Sequence, residues 1–183
     1  MEPALRIRPE QAADVDQVRA VVAAAFGGPR VPGLVDGLRA SMAWLDLSFV
    51  AELDDAVVGH VCYTRGWVDA PERVVDVLVL SPLSVHPDHQ RRGIGTALVE
   101  QSLARLARSS EYLVFLEGSP SYYPRLGFVP GSSLGFTSPS VRIPEPAFQV
   151  FPLPAYERSS AAVTGALVYP DVFWRHDCVG LRD

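Results

Sequence analysis

Two glycines and two arginines lie together near the middle of the chain, where an apolar run gives way to a helical pattern. They belong to the segment Gln90-Arg91-Arg92-Gly93-Ile94-Gly95-Thr96, which follows the apolar residues 74–80 and precedes a helical pattern that extends to about Arg108. Glycine has no Cβ, so backbone N–H groups there can approach a ligand closely. A helix start adds unpaired N–H groups and the positive end of the helix dipole. With the guanidinium groups, these features favour an anion site suited to phosphate.

Two common phosphate-binding patterns fit this segment poorly. The Walker pattern GxxxxGK[ST] is absent, which excludes a P-loop nucleoside triphosphatase. The dinucleotide fingerprint GxGxxG is only half met, because Leu98 occupies the position of its third glycine, although Glu117 lies about 20 residues further on, as that fingerprint requires. A nicotinamide oxidoreductase therefore stays an alternative, disfavoured by Leu98 and by the lack of an N-terminal βαβ unit.

A pair of tyrosines stands further along the chain, in Tyr122-Tyr123-Pro124-Arg125-Leu126-Gly127-Phe128. This segment resembles the tyrosine-x-x-x-Gly-Phe signature of the GNAT superfamily of N-acetyltransferases. The earlier spacing Gln90-x-x-Gly93-x-Gly95 resembles the acyl-CoA pyrophosphate loop of the same superfamily, whose pattern is [Gln/Arg]-x-x-Gly-x-[Gly/Ala]. Finding both motifs in this order makes the resemblance specific between about Val74 and Phe128.

The resemblance implies an enzyme that moves an acetyl group directly from acetyl-CoA, its co-substrate, to a primary amine on a small molecule or a peptide. It places the general acid at Tyr123, four residues before Gly127, with Tyr122 as the alternative. A tyrosine suits this role because its reference pKa of about 10 keeps it protonated at neutral pH. The implied cofactor-binding residues are Leu83, Ser84, Val85, Gln90, Arg91, Arg92, Gly93, Ile94, Gly95 and Thr96. A non-catalytic acyl-CoA-binding regulatory module on the same fold is the alternative function.

The general base stays unassigned at this stage. The candidates are Glu117 at a strand end, His86 beside the loop, Asp76 within an apolar strand and His60 on a hairpin. The two histidines titrate near neutral pH when unperturbed. An ordered water chain is a further alternative to a protein base.

The elements around these residues alternate between strand and helix patterns. The resemblance implies an α/β fold with a GNAT-like central mixed, mostly antiparallel twisted sheet, a splayed central parallel strand pair and flanking helices. In the superfamily the two splayed strands leave a gap between them, and the acyl-pantetheine lies in this gap. The resemblance implies that the backbone groups of Leu83 and Val85 pair with the pantetheine amides there. The patterns predict strands over 5–8, 48–53, 57–64, 74–85, 112–116, 128–129, 147–153 and 161–168, helices over 12–26, 34–44 and 93–108, a loop over 66–72 and a final turn over 171–174. The strand over 74–85 is expected to bulge or splay at Ser81-Pro82, because proline cannot donate to a sheet ladder.

Length, charge and composition limit the classes of protein to which this chain can belong. The chain has 183 residues, a net charge of -5 and 48% hydrophobic residues, as expected of one globular domain that does not bind nucleic acid through bulk charge. We expect a single acetyltransferase domain over 1–183, with a core and acetyl-CoA site over 1–128 and C-terminal strands over 129–183 that complete the sheet. No run resembles a signal peptide or a membrane span, which favours a cytoplasmic monomer or homodimer without membrane contact. The aromatic, proline-rich tail shapes either an acceptor pocket or a dimer interface.

Overall fold

Nine strands form one sheet in the computed structural model, which describes residues 5–157 and 163–180. The strands are β1 (Arg6–Pro9), β2 (Trp44–Leu53), β3 (Ala56–Asp69), β4 (Val74–Val85), β5 (Leu113–Glu117), β6 (Val129–Pro130), β7 (Phe136–Thr137), β8 (Phe148–Pro152) and β9 (Gly165–Val168). The accompanying helices are α1 (Val15–Phe26), α2 (Arg30–Arg39), α3 (Ile94–Leu106), α4 (Pro154–Glu157) and α5 (Asp171–Arg175).

The order of the strands brings the two halves of the chain into the same sheet. The main path is β1-β2-β3-β4-β5-β8-β6, and β9 pairs with both β3 and β7. The pairs are antiparallel except for β4 with β5 and β7 with β9. The predicted fold class, a mixed and mostly antiparallel sheet with a central parallel pair and flanking helices, is confirmed.

The central parallel pair is short and then separates. β4 and β5 are paired only at Leu78 with Val114 and at Val79 with Phe115, whereas β4 continues to Val85. On its other edge β4 stays paired with β3, with a bulge in which Cys62 stands opposite both Ser81 and Pro82. The expected irregularity at Ser81-Pro82 is confirmed, and the split leaves a gap between the carboxyl ends of β4 and β5.

Several predicted boundaries are wrong, and long-range packing explains them. β3 continues through the predicted loop to Asp69, because it pairs there with β4 on one side and with β9 on the other. Gly66 permits this packing, since a Cβ at that position would lie 2.7 Å from Cγ2 of Val79. Residue 44, predicted to end a helix, begins β2 instead. The predicted strand over 161–168 is observed as β9 over its last four residues, and residues 161–162 lie outside the described part.

The second helix begins earlier than predicted because its prolines stand where a helix tolerates them. Pro29 is the N-cap of α2 and Pro32 lies in the first turn, where a backbone N–H has no helical partner to lose. Two glycines of α2, Gly33 and Gly37, face His176 at close range. A Cβ on Gly37 would lie 2.9 Å from His176 Nε2, so these glycines let α2 pack against α5.

Buried apolar side chains fill both faces of the sheet. One cluster contains Leu34 and Leu38 of α2 and Phe173 of α5, and another contains Leu98 and Val99 of α3. α3 is thereby fixed against the sheet next to the point where β4 and β5 separate. Within residues 5–157 and 163–180, no helix combines the length and hydropathy that a bilayer span requires.

Candidate active site

Two adjacent cavities lie at the split between β4 and β5. The first, called here the α3 cavity, has a volume of about 420 Å³ and lies at the start of α3. The second, called the gap cavity, has a volume of about 810 Å³ and lies between the ends of β4 and β5, the junction of α1 with α2, and the segment that follows α5. Leu83 and Tyr122 line both cavities, so a ligand can extend from one into the other.

Most of the predicted cofactor-binding residues line the α3 cavity. Leu83, Val85, Gln90, Arg91, Gly93, Ile94, Gly95 and Thr96 do so, whereas Ser84 and Arg92 do not. Ser84 is buried, and its Oγ lies 3.4 Å from the backbone oxygen of His60, away from the cavity. The Arg92 side chain is exposed at the surface beside the loop.

The glycines of the loop have separate structural roles. Gly93 is the N-cap of α3 with φ of +80°, and a Cβ built on it would meet no atom within 4 Å, so the space in front of its backbone is open. Gly95 has a close neighbour instead, because its Cβ would lie 3.0 Å from Oη of Tyr122. Arg91 also adopts a positive φ, of 60°. This tight loop aims the start of α3 into the cavity.

Unpaired backbone donors collect at this helix start. The first bond within α3 runs from the N–H of Ala97 to the oxygen of Gly93, at 2.9 Å, so the N–H groups of Ile94, Gly95 and Thr96 precede the helical ladder. The dipole of this 13-residue helix adds partial positive charge at the same point. An anionic group of a ligand would be stabilised here.

The edge of β4 that faces the gap also offers backbone groups. The N–H of His86 donates to the oxygen of Val58 at 2.8 Å, and antiparallel pairing alternates hydrogen-bonded with non-hydrogen-bonded positions. Leu83 and Val85 fall on the alternate positions, so their N–H and C=O groups point away from β3. The side-chain amide of Gln90 donates to the oxygen of Val85 at 3.0 Å and ties the loop to this strand.

The two tyrosines stand side by side at the junction of the cavities. Their ring centroids are 5.0 Å apart, and the rings meet edge to face. Oη of Tyr122 lies 3.4 Å from Oγ1 of Thr96, at the start of α3. Tyr123 lines the gap cavity and packs against Phe128, with centroids 5.6 Å apart.

The environment of Tyr123 keeps its hydroxyl protonated. Burial raises the pKa of Tyr123 well above its ordinary value, and the neighbouring Tyr122 raises it further. Gly118 makes room for the ring, since a Cβ there would lie 2.4 Å from Cε2 of Tyr123. A hydroxyl held in this way can donate a proton across the whole physiological pH range.

Of the four candidate bases, Glu117 alone lines either cavity. It ends β5 inside the gap cavity, and its carboxylate accepts a hydrogen bond from the N–H of Gly180, at 3.1 Å to Oε1 and 3.2 Å to Oε2. A half-buried carboxylate beside two tyrosines is suited to proton exchange with a bound ligand.

The other three candidates lie elsewhere. His60 is fully buried, its Nε2 is 2.9 Å from Oγ of Ser48, and burial lowers its pKa. His86 lies at the surface, where its Nδ1 accepts a hydrogen bond from the N–H of Asp88 at 3.3 Å. Asp76 is exposed and pairs with Arg65 at 3.4 Å.

Two walls of the gap cavity were not identified residue by residue from the sequence. One is the α1–α2 junction with the start of α2, residues 26–31. The other is formed by Asp177, Cys178 and Gly180, just after α5. Nothing local in the sequence connects this segment to Glu117, because the contact spans 63 positions.

Comparison with known proteins agrees with this geometry. Residues 6–131 match the family model described as an acetyltransferase (GNAT) domain. The chain is 33% identical over 132 residues to the uncharacterized N-acetyltransferase YjhQ of Escherichia coli (strain K12), which covers 69% of this chain and 71% of that protein.

Two solved structures share the whole architecture. The GNAT family N-acetyltransferase YhbS of Escherichia coli, in complex with CoA, superposes with a TM-score of 0.82 at 29% identity and covers 96% of each chain. A GNAT family acetyltransferase from Brucella melitensis, in complex with acetyl-CoA, has a TM-score of 0.73 at 28% identity and covers 93% of this chain and 98% of that one.

Proposed function

The chain belongs to the GNAT family of acetyltransferases, and from this premise we propose that it transfers an acetyl group from acetyl-CoA directly to a primary amine. The observation that carries the proposal is that the two cavities adjoin at Leu83 and Tyr122, which line both. One cavity offers an anion-binding helix start, and the other holds a carboxylate and two phenols. The structures of relatives in complex with CoA and acetyl-CoA support acetyl-CoA as the co-substrate. These two structures also favour acetyl-CoA over a nicotinamide cofactor.

The α3 cavity fits the phosphate and pantetheine parts of acetyl-CoA. The N–H groups at the start of α3, with Arg91 and Arg92 nearby, would hold the pyrophosphate. The open space in front of Gly93 lets the backbone approach that group. The outward backbone groups of Leu83 and Val85 would pair with the pantetheine amides as an added strand does.

The gap cavity supplies the groups that the transfer needs. Acetyl-CoA, when bound, supplies an activated thioester carbonyl, and the reaction forms a bond from the amine nitrogen to the acetyl carbon and breaks the carbon–sulfur bond. Glu117 accepts the proton that the amine loses, directly or through a water. Tyr123 donates its proton to the departing sulfur.

Two measurements on the purified protein test the proposal. Calorimetric titration with acetyl-CoA should show saturable binding, and thiol detection should show release of CoA that depends on an added primary amine. Binding without release across a broad amine panel would instead indicate a non-catalytic acyl-CoA-binding module. Absence of binding would contradict the assignment of the α3 cavity.

A further inference from the structure

The α1–α2 wall of the gap cavity carries several apolar side chains. Phe26, the last residue of α1, lines the cavity and leaves 49% of its surface exposed. Val31 and Leu34 of α2 extend the same wall. A half-exposed aromatic ring in a concave site is unusual for a surface residue and typical of a surface that a ligand covers.

The charges of the cavity favour a ligand with a single positive group. Glu117 is half buried at the end of β5, whereas Arg30 and Asp177 are exposed and opposite in sign. The formal charges of these three lining side chains therefore sum to a single negative charge, which one ammonium group balances. A second ammonium group, placed against Phe26 and Val31, would lose its hydration without a carboxylate to replace it.

Resting on the proposed function, we infer that the acceptor is an apolar monoamine: a primary amine whose nitrogen is its only charged group and whose body is about the size of a phenyl ring. Its nitrogen lies by Glu117 and the tyrosines. There the ammonium group first loses one proton to solvent to become the nucleophilic amine, and it loses a second proton to Glu117 as it gains the acetyl group. Its body packs against Phe26 and Val31. The cavity volume of about 810 Å³ is ample for such a molecule beside the end of the pantetheine chain.

Matched amines test this specificity. With saturating acetyl-CoA, kcat/KM is measured for 2-phenylethylamine, for ethanolamine and for 1,4-diaminobutane. We expect 2-phenylethylamine to exceed each of the other two at least about tenfold, since apolar groups in a hydrophobic pocket discriminate by factors of about 10–200. A preference for ethanolamine or for the diamine would overturn the inference while leaving the proposed acetyl transfer intact.

The substitution Phe26→Ala tests the wall itself. We expect it to lower kcat/KM for 2-phenylethylamine about tenfold, mainly through KM, and to leave the value for ethylamine within about twofold. Met42→Ala is the control, because Met42 is exposed and lines neither cavity. An equal loss for both amines would overturn the role of Phe26. If acetyl-CoA binds and no amine releases CoA, the proposed function fails and the inference fails with it.

Discussion

At the scale of single residues, the site separates two tyrosines that the sequence presents as near equivalents. Tyr123 is packed on Phe128 and has a raised pKa, whereas Tyr122 lies closer to Thr96 at the start of α3. A general acid acts only while it is protonated. The raised pKa of Tyr123 therefore moves the loss of its proton to higher pH, beyond the range in which the enzyme would work.

The substitution Tyr123→Phe tests this assignment. It removes the hydroxyl and keeps the ring, so we expect kcat to fall about 10²–10⁴-fold while the Kd for acetyl-CoA stays within about twofold. Tyr122→Phe is the matched control and should have the smaller effect on kcat. Steady-state kinetics and calorimetry on both variants decide the matter, and the reverse order of effects would assign the acid to Tyr122.

The substitution Glu117→Gln tests the base. Glutamine keeps an oxygen that can accept the hydrogen bond from Gly180, so the fold around the cavity should persist. We expect kcat/KM for the amine to fall about 100-fold or more at neutral pH, because the amide cannot accept a proton. Asp76→Asn, an exposed carboxylate of β4 outside both cavities, should leave kcat/KM unchanged. Unaltered activity in Glu117→Gln would point to a water chain as the base.

At the scale of elements, we expect the loop before α3 to carry the binding of acetyl-CoA. Gly93 needs a positive φ and leaves open space in front of its backbone, so Gly93→Val both strains the loop and fills that space. We expect the Kd for acetyl-CoA to rise more than about tenfold, measured by calorimetry.

A second glycine separates strain from binding in this experiment. Gly27, at the end of α1, has φ of +71° and likewise no atom within 4 Å of its would-be Cβ. It lies in the α1–α2 wall of the gap cavity and outside the α3 cavity, where the pyrophosphate would bind. Gly27→Val should destabilise the protein to a similar extent in urea unfolding and still bind acetyl-CoA. Equal loss of acetyl-CoA binding in the two variants would mean that global strain, and not the site, explains the effect at Gly93.

The parts of the fold that the sequence reveals are those set by local signals. The strand β4, the glycine loop and α3 follow one another without interruption, and each has a pattern readable over a few residues. The tyrosine segment before Gly127 is equally local. Their mutual placement around the split sheet came from the superfamily resemblance, and the structure agrees with it.

Other parts depend on partners far along the chain. The extension of β3 past Gly66 requires β9, some 100 positions later. The glycines of α2 resemble helix breakers until His176 is known to pack on them. For the same reason no pattern could identify Cys178 and Gly180 as a wall of the gap cavity, because that placement is decided by how α5 docks on α2.

At the scale of the whole molecule, both ends of the described chain contribute to the site or to the sheet that supports it. The segment after α5 closes the gap cavity, and β1 forms the edge of the main strand path next to β2. Acidic side chains anchor this edge. Arg8 of β1 donates to Asp14 at 2.6 and 2.9 Å and to Glu52 of β2 at 2.7 Å, all three side chains being largely buried.

This anchoring makes the stability of the fold depend on pH in a defined direction. The hydrogen bonds from Arg8 lower the pKa of Asp14. Burial raises the pKa of Glu10, but the hydrogen bonds with His60 and Ser48, together with the charge interactions with His60 and Arg39, outweigh burial, so the pKa of Glu10 is also lowered. A carboxylate whose pKa is lowered by folding stabilises the protein above its unfolded pKa, about 4, and loses this contribution as the pH falls through its folded pKa.

The substitution Asp14→Asn should therefore destabilise the protein at pH 7 and matter progressively less in acid. We expect a loss of about 1–3 kcal/mol in the free energy of unfolding at pH 7, because the amide forms weaker hydrogen bonds with Arg8 than the carboxylate does. Below about pH 4 Asp14 of the unfolded wild-type chain takes up a proton, whereas the folded carboxylate stays ionised to lower pH, so the difference between the two proteins should shrink as the pH falls. Urea unfolding between pH 7 and pH 3 measures this difference, with Asp76→Asn as the control at an exposed carboxylate. A difference that stays constant across this range would show that Asp14 contributes through packing and not through its charge.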